Sequence, residues 1–424
     1  MPHPLAGQHP DTIRKIAAGV IDDIIHALVV PKTTKEEEAV AAKKKAMSTT
    51  IKVDGNTYLT AIETMNKLFL SRHWGDGFPL VPPTRQAVDQ MLGFTNRTPE
   101  ETVAVLAPGM GKATVEKIAI NAVMAGARPM YLPIIIAAVE ALTDPQINLA
   151  SMATTTGSVF PLLIVNGPVI NLLDISSGCG CLGPGWRANA TIGRAINLIM
   201  TNGGHVWPGI NCMGTFGNSG KFASCVAEAE ALSPWEPLHV ERGFDRHAST
   251  ASIAPVLYHC LCINLSGKVN DALDHVADKM ASIYNPGTSI LIEFPTFVVM
   301  IAPALARIMA EREGLTKEDI KNYLFGKARV PIAKYRRENF KMLEEGLAAS
   351  RLPTWLKQSD ETLVPSMLSP DDISVFVSGG ETGLYTYIFS CIMGKMVTKE
   401  IKLPKNWNEM LAEAEKQDRE TDLP

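Results

Sequence analysis

Cys179 and Cys181 sit two apart in a glycine-rich stretch that reads Ser176-Ser-Gly-Cys-Gly-Cys-Leu-Gly-Pro-Gly-Trp-Arg-Ala-Asn-Ala-Thr-Ile-Gly-Arg194. Gly183 and Gly185 would free backbone N–H groups at the start of a helix, where the helix dipole favours negative charge. Arg187, Asn189 and Arg194, in the first turns of that helix, would complete an anion site. A thiol beside a helix N-terminus and arginines has a lowered pKa, which makes Cys179 or Cys181 a candidate nucleophilic or redox group. The same residues would equally serve a packed turn with surface arginines and inert cysteines, and that reading stays open. There is no Gly-x-x-x-x-Gly-Lys-Ser/Thr and no clean Gly-x-Gly-x-x-Gly followed by an acidic residue, so nothing singles out a nucleotide. A carboxylate or thiol-bearing substrate satisfies the same donors equally well.

A second patch, Gly203 to Lys221, is loop-like and short of charge, so His205 and Lys221 stand out as an acid/base group and an anion contact. Glu228 and Glu230 follow, then Ser233-Pro-Trp-Glu236 and His239-Val-Glu-Arg-Gly-Phe244. Glu228 is the alternative proton carrier. These His and Glu residues are not at the i, i+4 spacing of a helical metal site, and Cys212, Cys225, Cys260, Cys262 and Cys391 are scattered, so no metal ligand and no cofactor is assigned. Asp76 and Arg85 flank a proline-rich loop. His259, between strand-like residues, reads as a core histidine.

These residues need elements to hold them. Phe160 to Asn166 reads as a buried strand ending in a turn, Ala188 to Met200 as a helix entered through Gly183-Pro-Gly185, and Asp372 to Ser378 as a strand leading into Gly379-Gly-Glu-Thr-Gly383. Strand, glycine turn and helix in that order are favoured at α/β ligand sites, which adds Gly379 and Gly380 to the candidate binding residues. Further strands are expected at Val256 to Leu265 and Thr288 to Phe294. Helices are expected at Pro10 to Leu28 (capped by Asp11 or Thr12), Tyr58 to Ser71, Lys112 to Ala125, Leu132 to Leu142, Lys268 to Tyr284, Ala304 to Glu313 and Thr316 to Leu324. Alternating strands and helices predict an α/β fold of mixed layers. The expected division is a helical appendage and linker over 1–50, an α/β domain over 51–250 carrying the glycine-rich loops, and a second α/β domain over 251–424 with a helical tail.

A net charge of −4 leaves no basic footprint for nucleic acid. No basic start precedes an apolar run, and Tyr131 to Leu142 is too short to span a bilayer, so a cytoplasmic protein without membrane contact is expected. Seven cysteines at irregular spacing fit reduced thiols rather than a disulfide framework. Alanine-rich helices suit an oligomer interface.

Four long motifs carry a family resemblance. They are Trp74-Gly-Asp-Gly-Phe-Pro-Leu-Val-Pro-Pro-Thr84, Thr114-Val-Glu-Lys-Ile-Ala-Ile-Asn-Ala-Val-Met-Ala-Gly126, Leu182-Gly-Pro-Gly-Trp-Arg-Ala-Asn-Ala-Thr-Ile-Gly-Arg194 and Ser233-Pro-Trp-Glu-Pro-Leu-His-Val-Glu-Arg-Gly-Phe244. With them, most of residues 50 to 395 resembles the prokaryotic proteins associated with the UGSC (seleno)protein family. The opening Pro2 to Gln8 resembles the C-terminal end of the UGSC-like domain itself, as in the large part of a split protein. The UGSC motif, selenocysteine or cysteine followed by Gly-Ser-Cys, is absent, so the resemblance implies a separate small subunit that supplies the reactive chalcogen. Two departures stand at Phe216-Gly-Asn-Ser-Gly-Lys221 and Glu293-Phe-Pro-Thr296, where the family pattern leads one to expect a histidine.

The expected function is that of a subunit of a thiol- or selenol-dependent oxidoreductase or lyase, cleaving or reducing a carbon–heteroatom bond in a small anionic substrate. Arg187, Asn189, Arg194 and Lys221 would hold the anion, and His205 or Glu228 would move the proton. A self-sufficient metal-dependent lyase or hydratase, and a non-catalytic scaffold for the small partner, are the alternatives.

Overall fold

A computed structural model of the chain describes residues 9–29, 50–283, 295–335 and 358–421. The expected linker from Thr33, the strand at Thr288 to Phe294, the segment Pro2 to Gln8, and Glu293 and Phe294 of the Glu293 to Thr296 departure lie outside the described residues. The chain forms two compact units, residues 1–64 and 65–424.

In the first unit the expected helix from Pro10 is two helices, α1 (Pro10–Ala18) and α2 (Ile21–Val29), parted at Gly19. Its cap is His9, whose ring accepts from the Asp11 N–H (3.3 Å), with proline at the first helical position where a missing N–H costs nothing. The boundary between the units falls within α3 (Tyr58–Ser71).

The second unit opens with α4 (Arg85–Leu92) and a hairpin of β1 (Thr102–Leu106) and β2 (Gly111–Thr114). Residues 112 to 114, expected to begin a helix, are strand; α5 (Val115–Met124) starts one residue after Thr114, whose side chain accepts from the Lys117 N–H (3.3 Å). α6 (Leu132–Leu142) is apolar all round and buried along nearly its whole length, as such a composition requires.

β3 (Phe160–Asn166), α7 (Arg187–Gly203), β4 (Cys225–Ala227) and β5 (Thr250–Ile263) follow, then α8 (Val269–Ile283), β6 (Thr296–Ile301), a short helix at Pro303–Arg307 and α9 (Lys317–Lys327). A two-stranded ribbon, β7 (Arg329–Pro331) with β8 (Leu363–Pro365), precedes β9 (Ile373–Val377), β10 (Tyr385–Cys391), β11 (Val397–Glu400) and α10 (Trp407–Thr421).

One mixed sheet in the order β4-β3-β5-β10-β6-β9, with β11 beside β5, makes this an α/β fold. Strands from both sides of residue 250 pair within it, β3 with β5 over seven registered positions, so hydrogen bonds cross the boundary expected there. The sheet curls until its outermost strands meet: the Ala229 N–H after β4 donates to Val377 O at the end of β9 (2.8 Å). Side chains alternate across it. Phe297, Val299 and Ile301 pack with α8 and α9 on one face, and Val298 and Met300 pack with Phe160, Phe376 and Phe389 on the other. Gly379 to Gly383 leads into β10 rather than the expected helix.

Candidate active site

The curl brings two glycine-rich segments together. The Ala227 N–H donates to Ser176 O (3.3 Å) and the Gly379 N–H to Ser177 O (2.8 Å). The Ser378 hydroxyl lies 3.0 Å from Ser177 O and 2.9 Å from Ala227 O, and its oxygen is 3.5 Å from Cys181 Sγ. A Cβ on Gly380 would lie 3.5 Å from that of Cys179, so the bare backbone of the second turn faces the first thiol. Gly183 closes onto Gly180 O (2.7 Å), and Gly185, at φ +110°, takes a backbone conformation that L side chains rarely adopt.

The roles within this junction differ from those expected. Asn189 is 3% exposed and spends its amide on the loop: Oδ1 accepts from the Ser176 N–H (2.8 Å), and Nδ2 faces the carbonyls of Ser176, Cys181 and Cys225 at 2.9 to 3.3 Å. It positions the loop and has no donor left for an anion. Cys181 is buried, and burial pushes its thiol pKa up rather than down. Cys179 is exposed, as is Arg187, whose guanidinium makes a single long hydrogen bond among the described residues, to Gly126 O (3.5 Å).

Other expected members lie elsewhere. Arg194 forms a bidentate pair with Asp76 (2.7 and 2.9 Å) and reaches Pro79 O (3.0 Å), so its charge is already matched by a carboxylate. Arg85 is paired in the same way with Asp89 and Glu116. His205 follows the far end of α7 from Arg187, about 25 Å along the helix axis, with φ 55° and its ring stacked on Trp207 (4.9 Å). Lys221 Nζ donates to Cys212 Sγ (3.1 Å), and Gly220 beside it abuts Phe160 at the start of β3, away from the strand end that carries Glu228.

Glu228 is the expected residue around which chemistry gathers. It follows β4 directly and is 1% exposed. Its Oε2 accepts from Asn166 Nδ2 (2.6 Å) at the end of β3 and from the Leu238 N–H (2.7 Å), while Lys317 Nζ stands 4.0 Å from Oε1. Lys317 also donates to Glu241 (3.2 Å), and Lys321 donates to the other oxygen of Glu241. Both lysines are buried.

Burial pushes the Glu228 carboxyl above its ordinary value, outweighing Lys317 and its two donors. Burial also opposes the charge on Glu241, but Lys317 and Lys321 outweigh it and hold that carboxyl below its ordinary value. Two carboxyls displaced in opposite directions about one lysine form the arrangement that acid–base pairs use. Beside them Glu230 Oε1 accepts from the Gly167 N–H (2.7 Å) and faces His239 Nδ1 at 3.7 Å. Asn166 Oδ1, Glu228 Oε1, His239 Nδ1 and Thr250 Oγ1 are buried without a hydrogen-bond partner among the described residues, an unusual concentration for a structural core.

This cluster lies under a polar cleft of about 760 Å³ whose wall includes Leu238, Glu241, Arg242, Lys321 and Thr398. Arg242 is exposed on the cleft wall, though its neighbours strip enough solvent to lower its pKa, and its guanidinium is held by neutral acceptors, Thr398 Oγ1 (2.6 Å) and Met396 O (2.7 Å). Among the arginines discussed it is the one inside a cleft without a carboxylate bound to it. Arg242, Lys317 and Lys321 were not legible as site residues. Arg242 is inside the 233–244 motif but unremarkable there, and Lys317, Ile320, Lys321 and Leu324 form an i, i+3, i+4, i+7 buried stripe whose lysines read as solvated. The Trp235 indole N–H, donating to Leu315 O (2.9 Å), docks the motif against the entry of α9.

Glu228→Gln keeps an acceptor for Asn166 and Leu238 and removes the titration. A raised folded pKa means that the native state holds the proton more tightly than the unfolded chain. The stability Glu228 contributes is therefore present below its ordinary value of 4.5 and lost as pH rises through the folded value. The Gln variant should gain on the wild type progressively as pH rises from about 4.5 to the folded value and level off above it, as read by urea unfolding at several pH values; a constant difference throughout would mean an ordinary carboxyl.

No protein-family model and no curated protein matches this chain. Among the described residues no helix is long and apolar enough to cross a membrane, and no three His, Cys, Asp or Glu side chains group so as to hold a metal ion.

Proposed function

We propose that this chain is the large subunit of an enzyme that acts on a small anionic organic substrate in the cleft beside Leu238 to Gly243. Arg242 takes the anionic group, because it lines the cleft and its own hydrogen-bond partners are neutral. Glu228 carries the proton, with Lys317 and Glu241 linking it to the cleft wall. The observation that supports this reading above all is the opposed displacement of Glu228 and Glu241 about buried Lys317. The reaction class is cleavage or reduction of a carbon–heteroatom bond assisted by a thiol or selenol, and that part rests on the resemblance of the 74–84, 114–126, 182–194 and 233–244 motifs. A small UGSC-type partner then supplies the chalcogen.

The test uses a panel of small carboxylates incubated with the protein in deuterated buffer and read by NMR for loss of activated C–H signals. Exchange should vanish in Glu228→Gln and weaken at least tenfold in Arg242→Ala. Exchange that survives both substitutions removes the cleft from the reaction. A lyase or hydratase needing no partner is the second reading, favoured by both shifted carboxyls belonging to this one chain; turnover by the isolated chain would select it.

A further inference from the structure

Cys260 and Cys262 are two apart on β5, so their side chains leave the same face of the sheet. Their register with β10 places Cys260 opposite Ile388 and Cys262 opposite Thr386, on a continuous ladder without a bulge between them. Cys262 is 3% exposed and belongs to the core cluster with Val269, Leu273 and Ile388, and Cys260 is half-buried and packs against it. Side chains at this spacing on one face of a strand are next neighbours, so the two thiols stand side by side along β5. Past Val256 the opposite edge of β5 has left β3 behind and pairs with no other strand among the described residues, which leaves this end of the strand open on one side.

We propose that Cys260 and Cys262 form a two-thiolate site for a soft, two-coordinate monovalent cation of the Cu(I) class. Thiolates are the ligands that select such an ion. Ions that demand three or four ligands are poorly served, since among the described residues no third His, Cys, Asp or Glu joins the pair. A disulfide is disfavoured for a separate reason. Residues two apart on an extended strand have Cα atoms about 6.8 Å apart, at the upper end of the roughly 4.4–6.8 Å span that a disulfide bridges. An ion between the sulfurs lengthens the link and leaves the ladder intact.

On binding, two S–H bonds break, two metal–sulfur bonds form and two protons pass to solvent, with no change of oxidation state. Lys279, on α8 and electrostatically close to both thiols, offsets the net negative charge of the filled site.

The experiment uses the full chain kept reduced by a phosphine under anaerobic conditions, in a Cys179→Ser background that removes the exposed thiol. Cu(I) is the probe, competed against a colorimetric bicinchoninate chelator. One Cu(I) per chain should be retained, with at least tenfold weaker retention in Cys260→Ser and in Cys262→Ser. Circular dichroism checks that each variant is folded, and Cys260→Ser, at the half-buried position, decides alone if Cys262→Ser is not. A parent that yields its Cu(I) to the chelator, or a Cys260→Ser variant that retains it undiminished, overturns the proposal.

Discussion

Lys317→Met should cost about 3–5 kcal/mol of stability at neutral pH, the usual consequence of removing one partner from a buried charge cluster. Methionine preserves the methylene packing of a side chain that is 7% exposed, so the loss isolates the ammonium. Without it, Glu241 keeps Lys321, but buried Glu228 faces no other cation among the described residues. The cost should shrink as pH falls, because protonated Glu228 needs no counter-charge. It should also shrink in the Glu228→Gln/Lys317→Met pair, since residues in one network couple. Urea midpoints of the wild type, the two single variants and the double variant, each at neutral and at acid pH, supply the comparison. A loss independent of pH and additive with Glu228→Gln would show that the Lys317 ammonium is not coupled to Glu228, and the acid–base reading of the cleft would go with it.

Asn189→Ala should cost about 3 kcal/mol, from loop backbone groups left buried and unpaired, and should expose a thiol the native protein conceals. The amide meets Ser176 on both its N–H and C=O and also faces the carbonyls of Cys181 and Cys225. Removing it unlocks the segment that keeps Cys181 at 4% exposure. Pulsed alkylation with iodoacetamide, read by peptide mass spectrometry, should label Cys179 quickly in both proteins and label Cys181 at least tenfold faster in the variant. Arg187→Ala, at an exposed side chain with one long hydrogen bond, should leave Cys181 protected. If Asn189→Ala leaves it protected as well, packing against Phe160, Leu162 and Val226 holds the loop without the amide.

Both experiments bear on an expectation that the tertiary structure revised. Asn189 and Arg194 belong to a helix start rich in polar donors, the composition of an anion site. Whether a donor is free depends on partners far away in sequence, and Asp76, 118 residues before Arg194, claims that guanidinium. The same distance problem hid Arg242 and Lys317, whose significance comes from what they face across the cleft.

Local pattern by itself determined α3, α6 and β3 to the residue, and the core of α7 within a few, because burial of one face or of a whole element imposes a period that survives in the sequence. It also determined that strands and helices alternate, hence the α/β class. It did not determine β10, where a glycine turn suggested a helix to follow, or the first six residues of β5, since strand pairing depends on a neighbour elsewhere in the chain. Tertiary structure alone decided that the Ser176 to Gly183 loop and the Gly379 turn meet, because that requires the curl joining the ends of β4 and β9. It alone decided that Glu228 shares a lysine with Glu241 while His205 and Lys221 lie elsewhere. Side-chain chemistry is written in the sequence, but the burial and charge that tune it come from residues the fold brings alongside.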